Sequence, residues 1–225
     1  MSEDTLGSEA QNSGSTNFST LKHIHRRNRE SVQDSFFKRG KNFTAPDQKG
    51  LVSDLSKQLT RKETEGQIDA LTGLLNRNGF EIGLSREVLE AKRNNTTLTA
   101  IVLDANKLKA INDSQGHEAG DKYLKLIGEA LKEAGRTGDI IARTGGDEFV
   151  IVQKNTTEDG VKSWWERANA IFNEKGISIA AGVSNIDLNG KETSIKNADQ
   201  AMYAAKEASR TQGNQIRFFK PAVLA

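Results

Sequence analysis

RTGGDEFVIV, residues 143–152, sets two glycines and two acids between apolar runs. One apolar run, Ile140-Ile141-Ala142, ends just before it, and a second begins at Phe149. Adjacent glycines between apolar runs signal a tight hairpin. A turn needs only the glycines, however. Asp147 and Glu148 put two negative charges side by side at the mouth of a hairpin whose strands read as buried, and turn formation does not explain them.

Outward from the hairpin, the chain alternates. LTAIVLD, residues 98–104, is almost wholly apolar, as a strand buried on both faces should be. Helical periodicity marks about 77–94, 107–113, 118–133, 159–174 and 195–211. ISIAAGVS, residues 177–184, and QIRFF, residues 215–219, read as further strands. The hairpin spans about 139–153. Strand, helix, helix, strand, strand, helix, strand is the order of a ferredoxin-like layer, α/β in the α+β sense, with a sheet flanked by helices.

The rest of the chain is different material. At 225 residues the length suits one average domain plus extra segments. Residues 1–48 form the expected polar and basic tail. Its first nineteen, rich in Ser, Asn, Gly and Glu, read as disordered. LKHIHRRNRESVQDSFFKRGK, residues 21–41, reads either as a basic arm for an anionic partner or as a solvated, partly helical tail. His23 and His25 have no acidic or cysteine company there, so no metal site is expected. Pro46 breaks the chain, and residues 49–68 carry Leu51, Leu55 and Leu59 on one helical stripe. That stripe fits a helix packed on its own domain or a stalk that pairs with a second copy. Residues 220–225 are a short C-terminal tail.

Composition narrows the chemistry. The chain has no cysteine, which excludes disulfides, thiolate catalysis and Cys-type zinc sites. The net charge of +2 is too small to argue for nucleic acid by itself. No stretch approaches the roughly 18–20 apolar residues of a membrane span. The N-terminus lacks the basic start and apolar run of a signal peptide, so a cytoplasmic protein is expected.

Asp104 ends the buried strand LTAIVLD. It suits either a ligand-facing carboxylate or the N-cap of the helix that follows. If a hairpin strand lies beside LTAIVLD, Asp104 and Asp147 converge. Carboxylates gathered at a sheet edge without histidine or thiol suit a hard cation such as Mg²⁺, with Mn²⁺ as a substitute. Gly145 and Gly146 would leave room for a phosphate against the backbone.

These residues carry a resemblance. Residues 143–149, RTGGDEF, are similar to the signature of the GGDEF family, the diguanylate cyclases. DALTGLLNR (69–77) resembles the segment that opens the family's domain. DANKLKAIND (104–113) and SQGHEAGD (114–121) resemble its metal and substrate motifs, and ADQAMYAAK (198–206) with Arg210 its closing helix. The resemblance spans about 69–219, taken as the domain, and its motifs arrive in family order. It implies a nucleotide-cyclase-like sheet and the condensation of two GTP into cyclic di-GMP with release of two pyrophosphates, on a homodimer.

The resemblance also implies roles. Asp104, Asp147 and the Ala105 carbonyl would hold two Mg²⁺, with Glu148 as a further acidic contact. Asp147 would serve as general base and Lys109 as transition-state stabiliser. Asn112, His117 and Asp121 match base and ribose contacts; Asn112 and Asp121 also suit helix caps, and His117 a turn. Lys206 and Arg210 resemble a clamp on the outer phosphates, though a basic stripe also suits a wet face. Arg136 and Asp139 match an RxxD product-inhibition site, or else a surface salt pair. Two departures stand out: Asn106 replaces a usual aspartate and Leu108 a usual phenylalanine. The alternative function is a non-catalytic cyclic di-GMP receptor acting through protein contacts. No sensor domain is recognisable, and the partner of the tail is unassigned.

Overall fold

The computed structural model describes residues 66–220, apart from the side chains of Arg210 and Thr211. The expected tail, its basic run, the leucine stripe and the last five residues lie outside the described residues. Gly66 to Ile68 are turn and bridge rather than the end of a helix; Ile68 pairs with Leu75.

In chain order the elements are α1 (Arg77–Asn94), β1 (Leu98–Ala105), α2 (Leu108–Gln115), α3 (His117–Ala134), β2 (Ile140–Arg143), β3 (Glu148–Lys154), α4 (Glu158–Glu174), β4 (Ile179–Asn185), α5 (Lys191–Gln212) and β5 (Gln215–Phe218). The five-stranded sheet has the order β2-β3-β1-β4-β5. The first four strands are antiparallel and follow the ferredoxin-like pattern; β5 adds parallel to β4.

Local chemistry sets the boundaries. Asn76 caps α1 by accepting from the Gly79 N–H at 2.9 Å, and Asn95 ends it in the left-handed region. Thr157 caps α4 through the Gly160 N–H, with Glu158 and Asp159 in its positive first turn. α5 starts at Lys191, four residues before the apolar periodicity becomes visible at Ile195, because its first turn is polar.

β1 is buried along its whole length, as a central strand covered on both faces should be. Its side chains alternate between two cores. Ile101, Leu103 and Ala105 join Leu124, Ile127 and Leu131 of α3 and Trp164 and Phe172 of α4. Leu98, Ala100 and Val102 join Phe80, Leu84 and Val88 of α1 and Ala198 and Met202 of α5. Asp104 continues this second series, so its side chain leaves the sheet on the α5 side. Buried Glu87 of α1 is neutralised by Lys154 of β3 at 2.6 Å.

Candidate active site

Small residues bring α5 down onto the sheet. The α5 face of β4 is Ala180, Gly182 and Ser184, and α5 answers with Ala198, Ala201 and Ala205. A side chain on Gly182 would strike the backbone of Ala198 and Met202. Ala180 lies opposite Asp104. The close approach puts the Lys206 ammonium 2.7 Å from Asp104 Oδ2. The Asp104 side chain is 7% exposed and that of Lys206 36%. Asp104 Oδ1 is buried and finds no hydrogen-bond partner in the protein. Burial pushes the Asp104 carboxyl above its ordinary value; the Lys206 hydrogen bond and charge oppose this, and the charges of Asp147 and Asp199 add to it.

β3, the return strand of the hairpin, lies beside β1 with Glu148 opposite Asp104. The Ala105 N–H donates to the Asp147 carbonyl at 2.9 Å, locking the signature turn to the end of β1. The turn closes through the Thr144 N–H to the Glu148 carbonyl at 3.0 Å. Arg143 folds over it, donating from Nη2 and Nε to the Gly146 carbonyl at 2.8 and 3.2 Å. Arg143 also pairs with Asp69 at 3.3 Å. Arg77 Nε donates to the Thr144 carbonyl at 3.0 Å. Thus both ends of the opening segment, 69–77, brace the signature turn. Burial would raise the Asp69 carboxyl, but the Thr72 hydroxyl and N–H, with Arg143, outweigh it and hold it below its ordinary value.

Neither glycine of the turn has a positive φ, so both serve by size. The Glu148 carboxylate lies over Gly145, where an added Cβ would come within 2.6 Å of Oε2. Gly146 faces open space. The room expected at both positions is therefore clear at Gly146 and occupied by Glu148 at Gly145.

Gly146 and Asp147 form one wall of a pocket of about 340 Å³, and Leu108, Lys109, Asn112, Asp113 and His117 the other. Lys107, in the left-handed region at φ 67°, is the N-cap of α2, and no side chain caps that helix. Asp104 is therefore not its N-cap. Asn112 lies in the last turn of α2, packed against Gly120, with its amide oxygen buried and unpartnered. Gly116 is the N-cap of α3, so neither Asn112 nor Asp121 caps it, and His117 is a helical residue rather than a turn. Asp121 sits one turn after His117, exposed. A larger hollow of about 610 Å³ lies along α1 at Arg86, Leu89, Glu90, Lys92 and Arg93. None of the expected site residues lines it.

Among the described residues, no three His, Cys, Asp or Glu side chains gather closely enough to hold a metal ion. Asp147 lies near enough to Asp104 to act on it by charge, while Glu148, expected as a further acidic contact, is turned onto Gly145. This donor set still fits Mg²⁺, which is commonly held by one or two carboxylates and completed by substrate phosphates and water. The unpartnered Asp104 oxygen and the ammonium on its other oxygen mark the position as one that favours positive charge.

The expected product site is an ordered loop. Asp139 accepts the Arg136 N–H at 2.9 Å, and the Asp139 N–H returns to the Arg136 carbonyl at 3.1 Å. This contact runs through the Arg136 backbone, and the residue itself is exposed. Burial raises the Asp139 carboxyl, opposed by the Arg136 N–H. Asn106 ties the β1–α2 loop to α5, donating to Ser209 Oγ at 3.1 Å, while its own N–H reaches the Ser178 carbonyl. The Tyr123 hydroxyl accepts the Ser178 N–H at 2.8 Å beside it.

Sequence reading passed over three contributors. Asp199 acts on Asp104 by charge; it stands seven residues before Lys206, two helical turns along one face. Asp113 lines the pocket, and its place directly after Asn112 was the only cue. The bracing role of Asp69, Arg77 and Arg143 spans more than sixty residues of sequence and leaves no local pattern.

Comparison with known proteins agrees with this geometry. The model of the family "Diguanylate cyclase, GGDEF domain" matches residues 66–212. Diguanylate cyclase DosC of Escherichia coli K12 is 31% identical over 184 residues, 77% of this chain and 39% of that protein. Diguanylate cyclase DgcP of Pseudomonas aeruginosa is 37% identical over 179 residues, 75% of this chain and 26% of that protein. The chain thus spans well under half the length of these relatives. The crystal structure of the GGDEF domain of DgcB from Caulobacter crescentus, in complex with c-di-GMP, superposes with a TM-score of 0.62 at 25% identity, covering 68% of this chain and 95% of that one. Its sheet, its braced signature turn and the family match together make this chain a member of the GGDEF domain family.

Proposed function

We propose that this protein is a diguanylate cyclase that condenses two GTP into cyclic di-GMP and two pyrophosphates. The observation that carries the reading is the junction of Asp104, Lys206 and Asp147 beside the pocket walled by Lys109, Asn112 and His117. Asn112 and Asp121 take the guanine edge. Guanine offers N1–H and N2–H₂ donors that adenine cannot present, so the site prefers GTP. The uncapped N–H groups at the start of α2, Gly146 and Lys109 receive the phosphates. Lys206 and Arg210 hold the outer ones.

Asp104, Asp147 and the Ala105 carbonyl would hold magnesium, which would supply activation of the attacking oxygen and charge screening of the triphosphate. The 3′-hydroxyl of one GTP attacks the α-phosphorus of the other in line; its proton passes to Asp147 and pyrophosphate leaves. Lys109 stabilises the charge that develops on the phosphoryl oxygens. Each domain holds one GTP, so ring closure needs two copies facing each other. The reaction takes place in the cytoplasm; among the described residues no helix is long and apolar enough to cross a membrane.

Exposed Arg136 on its ordered loop supports product inhibition, since a guanidinium can grip a phosphate or stack on guanine. The DgcB domain was crystallised with c-di-GMP. Turnover should release one pyrophosphate per GTP consumed, with ATP neither consumed nor competing. Consumption of ATP at a comparable rate would contradict the guanine assignment. Arg136→Ala should extend the linear phase of product formation, and an unchanged progress curve would remove the inhibitory site.

A further inference from the structure

Asp104 has one oxygen on the Lys206 ammonium at 2.7 Å and the other buried without a partner. Asp147 and Asp199 add negative charge around it. A carboxylate so placed must carry a counter-ion. Lys206 supplies it from the mouth of the site, with its side chain about one-third exposed. Its root is fixed: the Lys206 carbonyl accepts the Ser209 hydroxyl at 2.8 Å, and α5 is pressed onto Gly182. Its end is a compact charge on a flexible four-carbon stem. Such an ammonium can leave a carboxylate for a phosphate without moving the helix.

We propose that Lys206 is a resident counter-ion that competes with divalent metal for Asp104, so that metal and triphosphate bind as a coupled pair. This rests on the reading of Asp104 as a metal ligand. With no triphosphate present, the ammonium stays on Asp104 and weakens metal binding. A bound triphosphate offers Lys206 a second set of anionic oxygens, and its move to them opens Asp104. The same side chain thus opposes metal alone and favours metal with nucleotide. The absence of a three-ligand protein cage among the described residues agrees with a metal that arrives with its substrate.

Mn²⁺ is the probe, titrated by electron paramagnetic resonance into the full chain with and without a non-hydrolysable GTP analogue. Without nucleotide, Lys206→Gln should bind Mn²⁺ at least about ten-fold more tightly than wild type, since a like charge next to the ligand has been removed. Lys206→Arg should keep wild-type weakness. With the analogue present, the Gln variant should show a smaller nucleotide enhancement of Mn²⁺ affinity than wild type, because only the contribution of the phosphate ligands remains. Melting curves give a second readout: Mn²⁺ alone should raise the melting temperature of Lys206→Gln more than that of wild type. Equal or weaker Mn²⁺ binding by a folded Lys206→Gln would overturn the proposal. Asp104→Asn separates the two levels. If that variant keeps wild-type Mn²⁺ affinity with the analogue, Asp104 is not the metal ligand, and the proposal falls with that reading. If it loses affinity while Lys206→Gln gains none, only the counter-ion role fails.

Discussion

Gly182→Ala tests how the fold delivers the site. The added Cβ would lie 2.7 Å from Met202 Cα and closer still to the Ala198 carbonyl oxygen and the Met202 nitrogen. Ordinary carbon contacts need about 3.5–4.0 Å, so α5 must retreat from β4 by roughly 1 Å. All three obstacles are backbone, so no rotamer change relieves them. Overpacking of this kind costs about 1–3 kcal/mol, and the upper end applies where only a whole helix can move. The same retreat would shift the backbone that carries Lys206, whose ammonium stands 2.7 Å from Asp104, relative to the end of β1. A misplacement of about 1 Å can lower turnover about 100-fold. Urea unfolding gives the first quantity, and cyclic di-GMP formation well below the melting temperature gives the second. A variant with the wild-type midpoint and wild-type turnover would refute the claim that small-residue packing at Gly182 positions the site.

Two further outcomes follow from the brace on the signature turn. Arg143→Ala removes charge-assisted bonds to the Gly146 carbonyl and to Asp69, and should cost about 1.5–3 kcal/mol in chemical denaturation; a loss below about 0.5 kcal/mol would mean that the turn stands without it. The depressed Asp69 carboxyl makes the second test a pH series. A carboxylate whose folded value lies below its unfolded one contributes stability that is complete above the unfolded value and is lost as pH falls through the folded one. The stability gap between wild type and Asp69→Asn should therefore be constant near neutrality and close only below pH 3.8, the ordinary value. A gap that closes well above that pH would contradict the assigned hydrogen bonds.

Much of the domain was legible because its signals are local. The alternation around the double glycine gave the hairpin, and the unbroken apolar run of LTAIVLD gave the central strand buried on both faces. The placement of β3 beside β1, posed only as a condition from sequence, is what joins Asp104 to the signature turn. Less legible were features set by distant partners. Nothing near Asp104 indicates that its oxygen is shared with Lys206, 102 residues away. Glu148 read as one more acid beside Asp147. Asp147 belongs to the turn and Glu148 opens β3, and Gly145, lacking a side chain, leaves the space into which Glu148 turns. The start of α5 was hidden because a polar first turn carries no apolar period.

The most direct test of the account is mass spectrometry of the nucleotides formed from GTP and Mg²⁺ by the purified full chain, beside Asp147→Ala. Cyclic di-GMP from wild type, and none from a folded Asp147→Ala, is the predicted result. No cyclic di-GMP from a folded, demonstrably dimeric wild type, after bound product has been stripped, would contradict the cyclase reading and turn attention to cyclic di-GMP binding at Arg136.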